Sequence, residues 1–294
     1  VFNRQRTGSV VCVSCGVLVG VNDDTCYNCG RRNPSLWGYA PALRALGADL
    51  GFVPFVIGLC VIVFGMTLVF SQGEGGAGGL LGLVSPSRRA LFLFGASGAL
   101  PVFLAGRWWT VLSAGWLHGG ILHIFMNMMA LRQLAPGVAD LFGAGRMTII
   151  YTVSGIAGFV LSSFAGAFLP DIVFFRLGEF TVGLRGGEFT VGASASIAGL
   201  IGALLAYGHR SGSGMALSYA KSYGLMLVLI GLFFPTIDNY AHAGGFGGGY
   251  VTARLLDPMK PERIDHIAIA VLCLVASLVS IVVSMFHGAQ FLRQ

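Results

Sequence analysis

Seven stretches of about 20 residues, near 51–71, 119–135, 146–169, 193–208, 222–237, 240–256 and 265–287, read as helices crossing a bilayer, since a hydrocarbon core of about 30 Å takes roughly 20 residues at 1.5 Å each. No other feature restricts the fold as much, because in lipid every backbone N–H and C=O must be satisfied inside its own segment. Composition agrees: 55% of the 294 residues are hydrophobic, 10% are charged, and the mean hydropathy is +0.79. No soluble domain needs so much apolar sequence. The expected class is an all-α polytopic membrane protein, with the lipid bilayer as its first partner.

The net charge of +6 comes from scattered rather than clustered basic residues, so nucleic acid is not an expected partner. With the N-terminus in the cytoplasm, Arg88, Arg89, Arg107, Arg176, Arg185 and Arg293 lie outside and the other twelve of the 18 Lys and Arg inside. That excess supports the orientation. The first 50 residues are polar and lack a basic stretch leading into an apolar one, so no cleaved signal peptide is expected.

Residues 1–33 contain two C-x-x-C knuckles, Cys12-Val-Ser-Cys15-Gly and Cys26-Tyr-Asn-Cys29-Gly. Each closing glycine permits the turn that aims backbone amides at sulfur. Four thiolates at this spacing suit a tetrahedral structural Zn2+, and so short a stretch needs a metal or a comparable staple to fold. Two disulfides are the alternative, disfavoured on a reducing cytoplasmic side. The module resembles a zinc ribbon. Residues 34–50 read as a linker, and Cys60 and Cys273, in apolar spans, as packing residues.

Between the first two spans, Gly73-Glu-Gly-Gly-Ala-Gly-Gly79 is turn-like, residues 90–104 are apolar enough for the membrane interface, and Arg107-Trp108-Trp109 reads as an interfacial anchor. His118 precedes a Gly-Gly pair and reads as a structural hydrogen-bonder near a helix start. His123 and Asn127, four apart, share a helical face. They fit either an interhelical hydrogen-bonded pair or two donors to a developing oxyanion. Ser194 opens Gly192-Ala-Ser-Ala-Ser-Ile-Ala-Gly199, and His242 sits in Ala241-His-Ala-Gly-Gly245. A hydroxyl in a membrane helix commonly bonds back to its own backbone, whereas an imidazole at membrane depth usually marks function. Small residues at Ala195, Gly199, Gly202 and Ala206 on one helix and Gly245 and Gly249 on another allow the close approach that makes a serine and a histidine a nucleophile and base. Asp238 reads chiefly as a helix cap or loop residue, with orientation of the imidazole as the lesser alternative.

Taken in order, His123-x-x-x-Asn127 after a Trp-rich loop, Gly192-Ala-Ser194, and Ala241-His242-x-x-Gly245-x-x-x-Gly249 resemble the rhomboid family of intramembrane serine proteases over roughly residues 51–256. The resemblance implies a six-helix core over 51–256, one additional transmembrane helix in 257–294, and no cofactor for catalysis. It implies Ser194 as nucleophile, His242 as general base, and His123 and Asn127 as the oxyanion site with the Ser194 amide. Implied substrates are membrane proteins with a transmembrane helix, cut near the outer face of a bacterial inner membrane. The fifth helix and the loop after it, around 232–240, would be the substrate gate. The zinc module would meet a cytoplasmic partner or act only as a stability cap.

Three positions depart from the family pattern: Ala195 stands for the glycine after the nucleophile, Ala198 for the aromatic that usually packs on the histidine, and Thr110 for the arginine after tryptophan. Phe246 or Trp116 are the candidates to fill the space at Ala198. These departures keep open a second reading, a catalytically inactive rhomboid-like protein that binds transmembrane segments. Finally, Gly178-Glu-Phe-Thr-Val-Gly183 recurs as Gly187-Glu-Phe-Thr-Val-Gly192, and its alternation suggests a small outer hairpin.

Overall fold

The computed structural model describes residues 3–71, 84–177, 180–234 and 237–291. The Gly73–Gly79 run lies outside the described residues, as do the first two residues of the first repeat copy. Strands β1 (Ser9–Val11) and β2 (Leu18–Gly20) pair antiparallel in the N-terminal module, followed by α1 (Ala40–Arg44) and α2 (Phe52–Val69). The next connection carries α3 (Arg88–Phe94), a π-turn at Leu100–Leu104 and α4 (Thr110–Ser113). Then come α5 (Ile121–Phe142), α6 (Ala144–Phe168), the hairpin β3 (Ile172–Leu177) and β4 (Phe180–Leu184), α7 (Ser194–Ser211), α8 (Gly214–Phe233), α9 (Asn239–Leu255) and α10 (Ile264–Phe291).

Among the described residues, α2, α6, α8 and α10 are long and apolar enough to cross a membrane by themselves. Helices α5, α7 and α9 carry the polar and small residues. Protein neighbours rather than lipid take up those faces, as expected where glycine and serine allow close packing. Helix ends follow local chemistry. Asp49 accepts from the Val53 amide at 2.7 Å ahead of α2, Ser213 caps α8 through the Ala216 amide, and α7 stops at Gly212 in the left-handed region, φ 73°. The polar opening of α8, with Ser213, Ser218 and Lys221, is why hydropathy alone starts that helix later, near 222.

At the centre, α6, α7 and α9 pack directly against one another with almost no side-chain cushion. A methyl carbon on Gly199 would lie 3.0 Å from the Gly245 carbonyl oxygen, one on Gly244 2.7 Å from that of Ala157, and one on Gly249 would overlap the Gly199 backbone. By contrast, only 17% of the apolar window of α8 is buried, against 61% for α6.

The connection from α2 to α5 folds onto the protein rather than lying flat in the interface. Leu91, Phe94, Ala96 and Ala99 are buried, while Phe103 and Leu104 stay exposed. The anchor reading holds only for Trp108, 68% exposed, because Arg107 is 2% exposed and turned inward. The hairpin forms between β3 and β4, so only the first repeat copy takes part in it. The second copy instead pairs with the preceding connection through a bridge between Ser97 and Thr190.

Candidate active site

Ser194 is the first residue of α7, delivered by Gly192, whose φ of 125° is left-handed backbone that favours glycine. The segment ahead of it is held by main-chain bonds: Ser97 and Thr190 exchange N–H···O contacts at 3.0 and 2.7 Å, the Ala99 amide reaches Gly187 O at 2.8 Å, and the Gly192 amide reaches Ala114 O at 3.0 Å. Ser194 therefore starts from a fixed strand, with the unsatisfied amides of a helix N-terminus beside it.

His242 lies in the first turn of α9 and is 7% exposed. Its Nδ1 has no hydrogen-bond partner, and none joins the ring to Ser194 Oγ. What the structure does fix is the backbone between them. A methyl carbon on Gly245, one turn after His242, would overlap the Ala195 carbonyl, and one on Gly158 of α6 would lie 2.7 Å from Ala195 Cβ and 2.5 Å from Ala241 O. Among the described residues no aromatic ring lies against the imidazole, so neither Phe246 nor Trp116 replaces the support lost at Ala198.

His123 and Asn127 converge on Gly192. A methyl carbon there would lie 2.6 Å from His123 Nε2 and 3.4 Å from Asn127 Nδ2. The Gly119 amide donates to His123 Nδ1 at 3.4 Å, which leaves the ring proton of the neutral imidazole on Nε2, the atom facing Gly192. Asn127 Nδ2 is buried and without an acceptor. Two donors thus point at one small space two residues before Ser194, and the His123 ring is also within electrostatic range of His242.

His118 departs from expectation. It is fully buried, both ring nitrogens lack partners, and its ring meets that of His123 edge-on at 5.2 Å. It is a packing support for His123, not a hydrogen-bonder, because the Gly119-Gly120 turn folds it inward behind that ring. Asp238 is the N-cap of α9: one carboxylate oxygen accepts from the Ala241 amide at 2.9 Å, and the other is taken by Ser162 Oγ. Its side chain is spent there and does not orient His242. Ser196 is buried with its Oγ packed toward Gly155 of α6, beside a cavity of about 20 Å³ that Tyr151, Trp116 and Ser277 also line.

In the N-terminal module the four sulfurs of Cys12, Cys15, Cys26 and Cys29 lie within 4.8 Å of one another, and all are free thiols. Cys12–Cys29 at 3.8 Å and Cys15–Cys26 at 3.6 Å match the edge of a ZnS₄ tetrahedron, about 3.8 Å for bonds near 2.3 Å. Gly16 and Gly30 close the knuckles at φ 77° and 70°. The Val17 amide, with the Asn28 side chain, holds the Cys15 thiol down to about 6, whereas partial burial among the other sulfurs pushes Cys29 up to about 11. Past residue 33 the hydrogen bonding continues, with Ser35 Oγ donating to Val21 O at 2.6 Å.

Sequence reasoning had no means to find the Ser97–Thr190 bridge or the contacts of Arg107 with α10. They join residues far apart in the chain, and no periodicity marks them.

A family model for the rhomboid domain matches residues 105–259. The chain is 30% identical over 184 residues to "RHOMBOID-like protein 7" of Arabidopsis thaliana, covering 59% of this chain and 51% of that protein. It is 30% identical over 196 residues to "Rhomboid protease GluP" of Bacillus subtilis (strain 168), covering 65% and 34%. It is also 32% identical over 143 residues to "Inactive RHOMBOID-like protein 8" of Arabidopsis thaliana, covering 47% and 35%. The matched region thus spans about a third to a half of these relatives.

Proposed function

The chain belongs to the rhomboid family, and we propose that it is an intramembrane serine endopeptidase that cuts transmembrane segments of membrane proteins. The observation that carries this reading is the convergence of His123 Nε2 and Asn127 Nδ2 on Gly192, beside the N-terminus of α7 where Ser194 stands.

In the proposed reaction His242 takes the proton of Ser194 Oγ as that oxygen attacks the scissile carbonyl carbon. The carbonyl oxygen becomes an oxyanion and receives N–H donors from His123, Asn127 and the Ser194 amide. The tetrahedral species collapses, the C–N bond breaks, and His242 returns the proton to the leaving amine. Water then attacks the acyl-enzyme with His242 again as base, releasing the new carboxylate and free Ser194. No cofactor enters. The missing hydrogen bond between Ser194 and His242 accords with a resting site, since such bonds often tighten only when substrate binds.

The charge bias supports a cytoplasmic N-terminus, with the Ser194 end of the bundle toward the outer face of a bacterial inner membrane. The sparse packing of α8 supports its role, with the loop near 232–240, as the substrate gate; residues 235 and 236 lie outside the described set. The sulfur cluster supports a structural Zn2+ in the N-terminal module, and the flanking Arg31-Arg32 pair supports a cytoplasmic partner for it, with a stability cap as the alternative.

The second reading, an inactive rhomboid-like protein that binds transmembrane segments, is favoured by the bare His242 ring beside Ala198 and by likeness to a relative named inactive. One experiment separates the two. Under the protease reading a fluorophosphonate labels Ser194 in the purified protein, and a transmembrane reporter is cleaved by wild type but not by Ser194→Ala. No labelling and no cleavage, where a control rhomboid reacts, leaves the second reading.

A further inference from the structure

One buried arginine holds the connection that leads into the C-terminal helix α10, and a second holds the helix itself near Ser284. At the end nearer the N-terminal module, Arg146 of α6, 2% exposed, donates to the main-chain carbonyls of Asp257 and Lys260, and its amide donates to Glu262 at 2.8 Å. At the Ser194 end, Arg107, also 2% exposed, donates to Phe92 O at 2.7 Å and to Ser284 O at 2.8 Å, with its guanidinium 4.1 Å from the centre of the Phe92 ring. Burial lowers Arg107 only to about 10, so it keeps its charge at neutral pH. Among the described residues no carboxylate pairs with it. Its acceptors are the carbonyl of Phe92 in the last turn of α3, where the helix dipole is negative, and that of Ser284 within α10.

Around this grip, Trp109 Nε1 donates to Ser284 Oγ at 3.1 Å, the Trp109 ring lies 4.9 Å from that of His287, and Ser113 Oγ is 3.5 Å from Ser284 Oγ while donating to Gly95 O at 2.8 Å. Gly288 approaches the Leu93 backbone so closely that a methyl carbon on it would lie 3.0 Å from Leu93 Cα. The residue after Ser113 is Ala114, whose carbonyl holds the Gly192 amide, two positions before Ser194. Gly95 leads into Ser97 and its bridge to Thr190. Two short connections therefore run from Ser284 to the strand that delivers Ser194.

We propose that α10 is a strut of the active site: Arg107 and Trp109 are positioning residues that use Ser284 and His287 to hold the strand before Ser194 in register with His123 and Asn127. The proposal rests on the protease reading for its kinetic consequence but not for its mechanical one. A helix that merely completed the bundle would add to stability and leave the chemical step alone.

The test uses the purified full-length chain and the variants Trp109→Phe, Ser284→Ala, their double, and Gly288→Leu, which wedges α10 off Leu93. Ser284→Ala leaves the Arg107–carbonyl bond in place, so the fold is kept. Each single variant is expected to lower kcat on a transmembrane reporter about three- to tenfold, the size of one interhelical hydrogen bond, with KM within about twofold. The double falls no further than the worse single, and amide hydrogen exchange at 187–193 quickens in each. Unchanged kcat, multiplicative losses in the double, or faster exchange confined to α10 would overturn the strut. If wild type cleaves nothing while exchange at 187–193 still responds to Ser284→Ala, the strut stands and the protease reading fails. If wild type cleaves and neither kcat nor exchange responds, the strut fails alone.

Discussion

Gly245 packs so closely on Ala195 that a methyl carbon on it would overlap the Ala195 carbonyl. That approach ties the backbone one turn beyond His242 to the residue after Ser194. Gly245→Ala is expected to destabilise the protein by about 1–3 kcal/mol through overpacking, and to slow Ser194 labelling beyond the loss of folded protein. Gly247→Ala, two residues on with nothing within 4 Å of the added carbon, should leave labelling intact and gain a few tenths to about 1 kcal/mol of helix propensity. Thermal unfolding and fluorophosphonate labelling of the two variants check the contrast.

Asn127→Ala removes one of the two donors aimed at Gly192. A kcat loss of about 10²–10³ with little change in KM is expected if it serves the oxyanion. Because Asn127 Nδ2 has no protein acceptor to lose, thermal stability should change by less than about 1 kcal/mol. A fall in stability with kcat unchanged would make the pair a packing feature instead.

Two serines stand close in the chain, and their neighbours tell them apart. Ser196 is buried beside Gly155 and forms no part of the space at Gly192, so Ser196→Ala should change stability by less than about 1 kcal/mol and leave labelling within about twofold of wild type. Ser194→Ala should abolish labelling without a shift in unfolding temperature. Mass spectrometry of the labelled peptide assigns the site.

The sulfur cluster predicts about one zinc per chain, bound through four thiolates. Elemental analysis of the purified protein should find it, and Cys12→Ser or Cys26→Ser, each replacing a buried ligand, should remove it. Chelation is expected to unfold residues 3–33 while α2–α10 stay folded, because a module this small depends on its metal. Circular dichroism and limited proteolysis before and after chelator would read this.

The helices were legible because lipid demands long apolar runs, and Ser194, His242, His123 and Asn127 stood out as candidates because they sit in recognisable local strings; the structure brings His123 and Asn127 together at Gly192 but joins Ser194 to His242 by no hydrogen bond. Boundaries blurred where polarity rose, as at the start of α8, and where Pro136 continues inside α5 rather than ending it. The repeat is the clearest limit. Two copies of Gly-Glu-Phe-Thr-Val-Gly take different roles, one in β4 paired with β3, the other bound to Ser97. Identical local propensity met different partners, and tertiary pairing decided. Arg107 was misread for the same reason, since its acceptor at Ser284 is 177 residues away.

That separation has a consequence in time. Ser284 leaves the ribosome 177 residues after Arg107, an interval of roughly 10–35 s at about 5–20 residues per second. Until then the segment around Arg107 lacks its last fastening, and the run that leads into Ser194 is made before the helix that braces it. The order of synthesis itself leaves that end of the bundle loose until the last helix is complete.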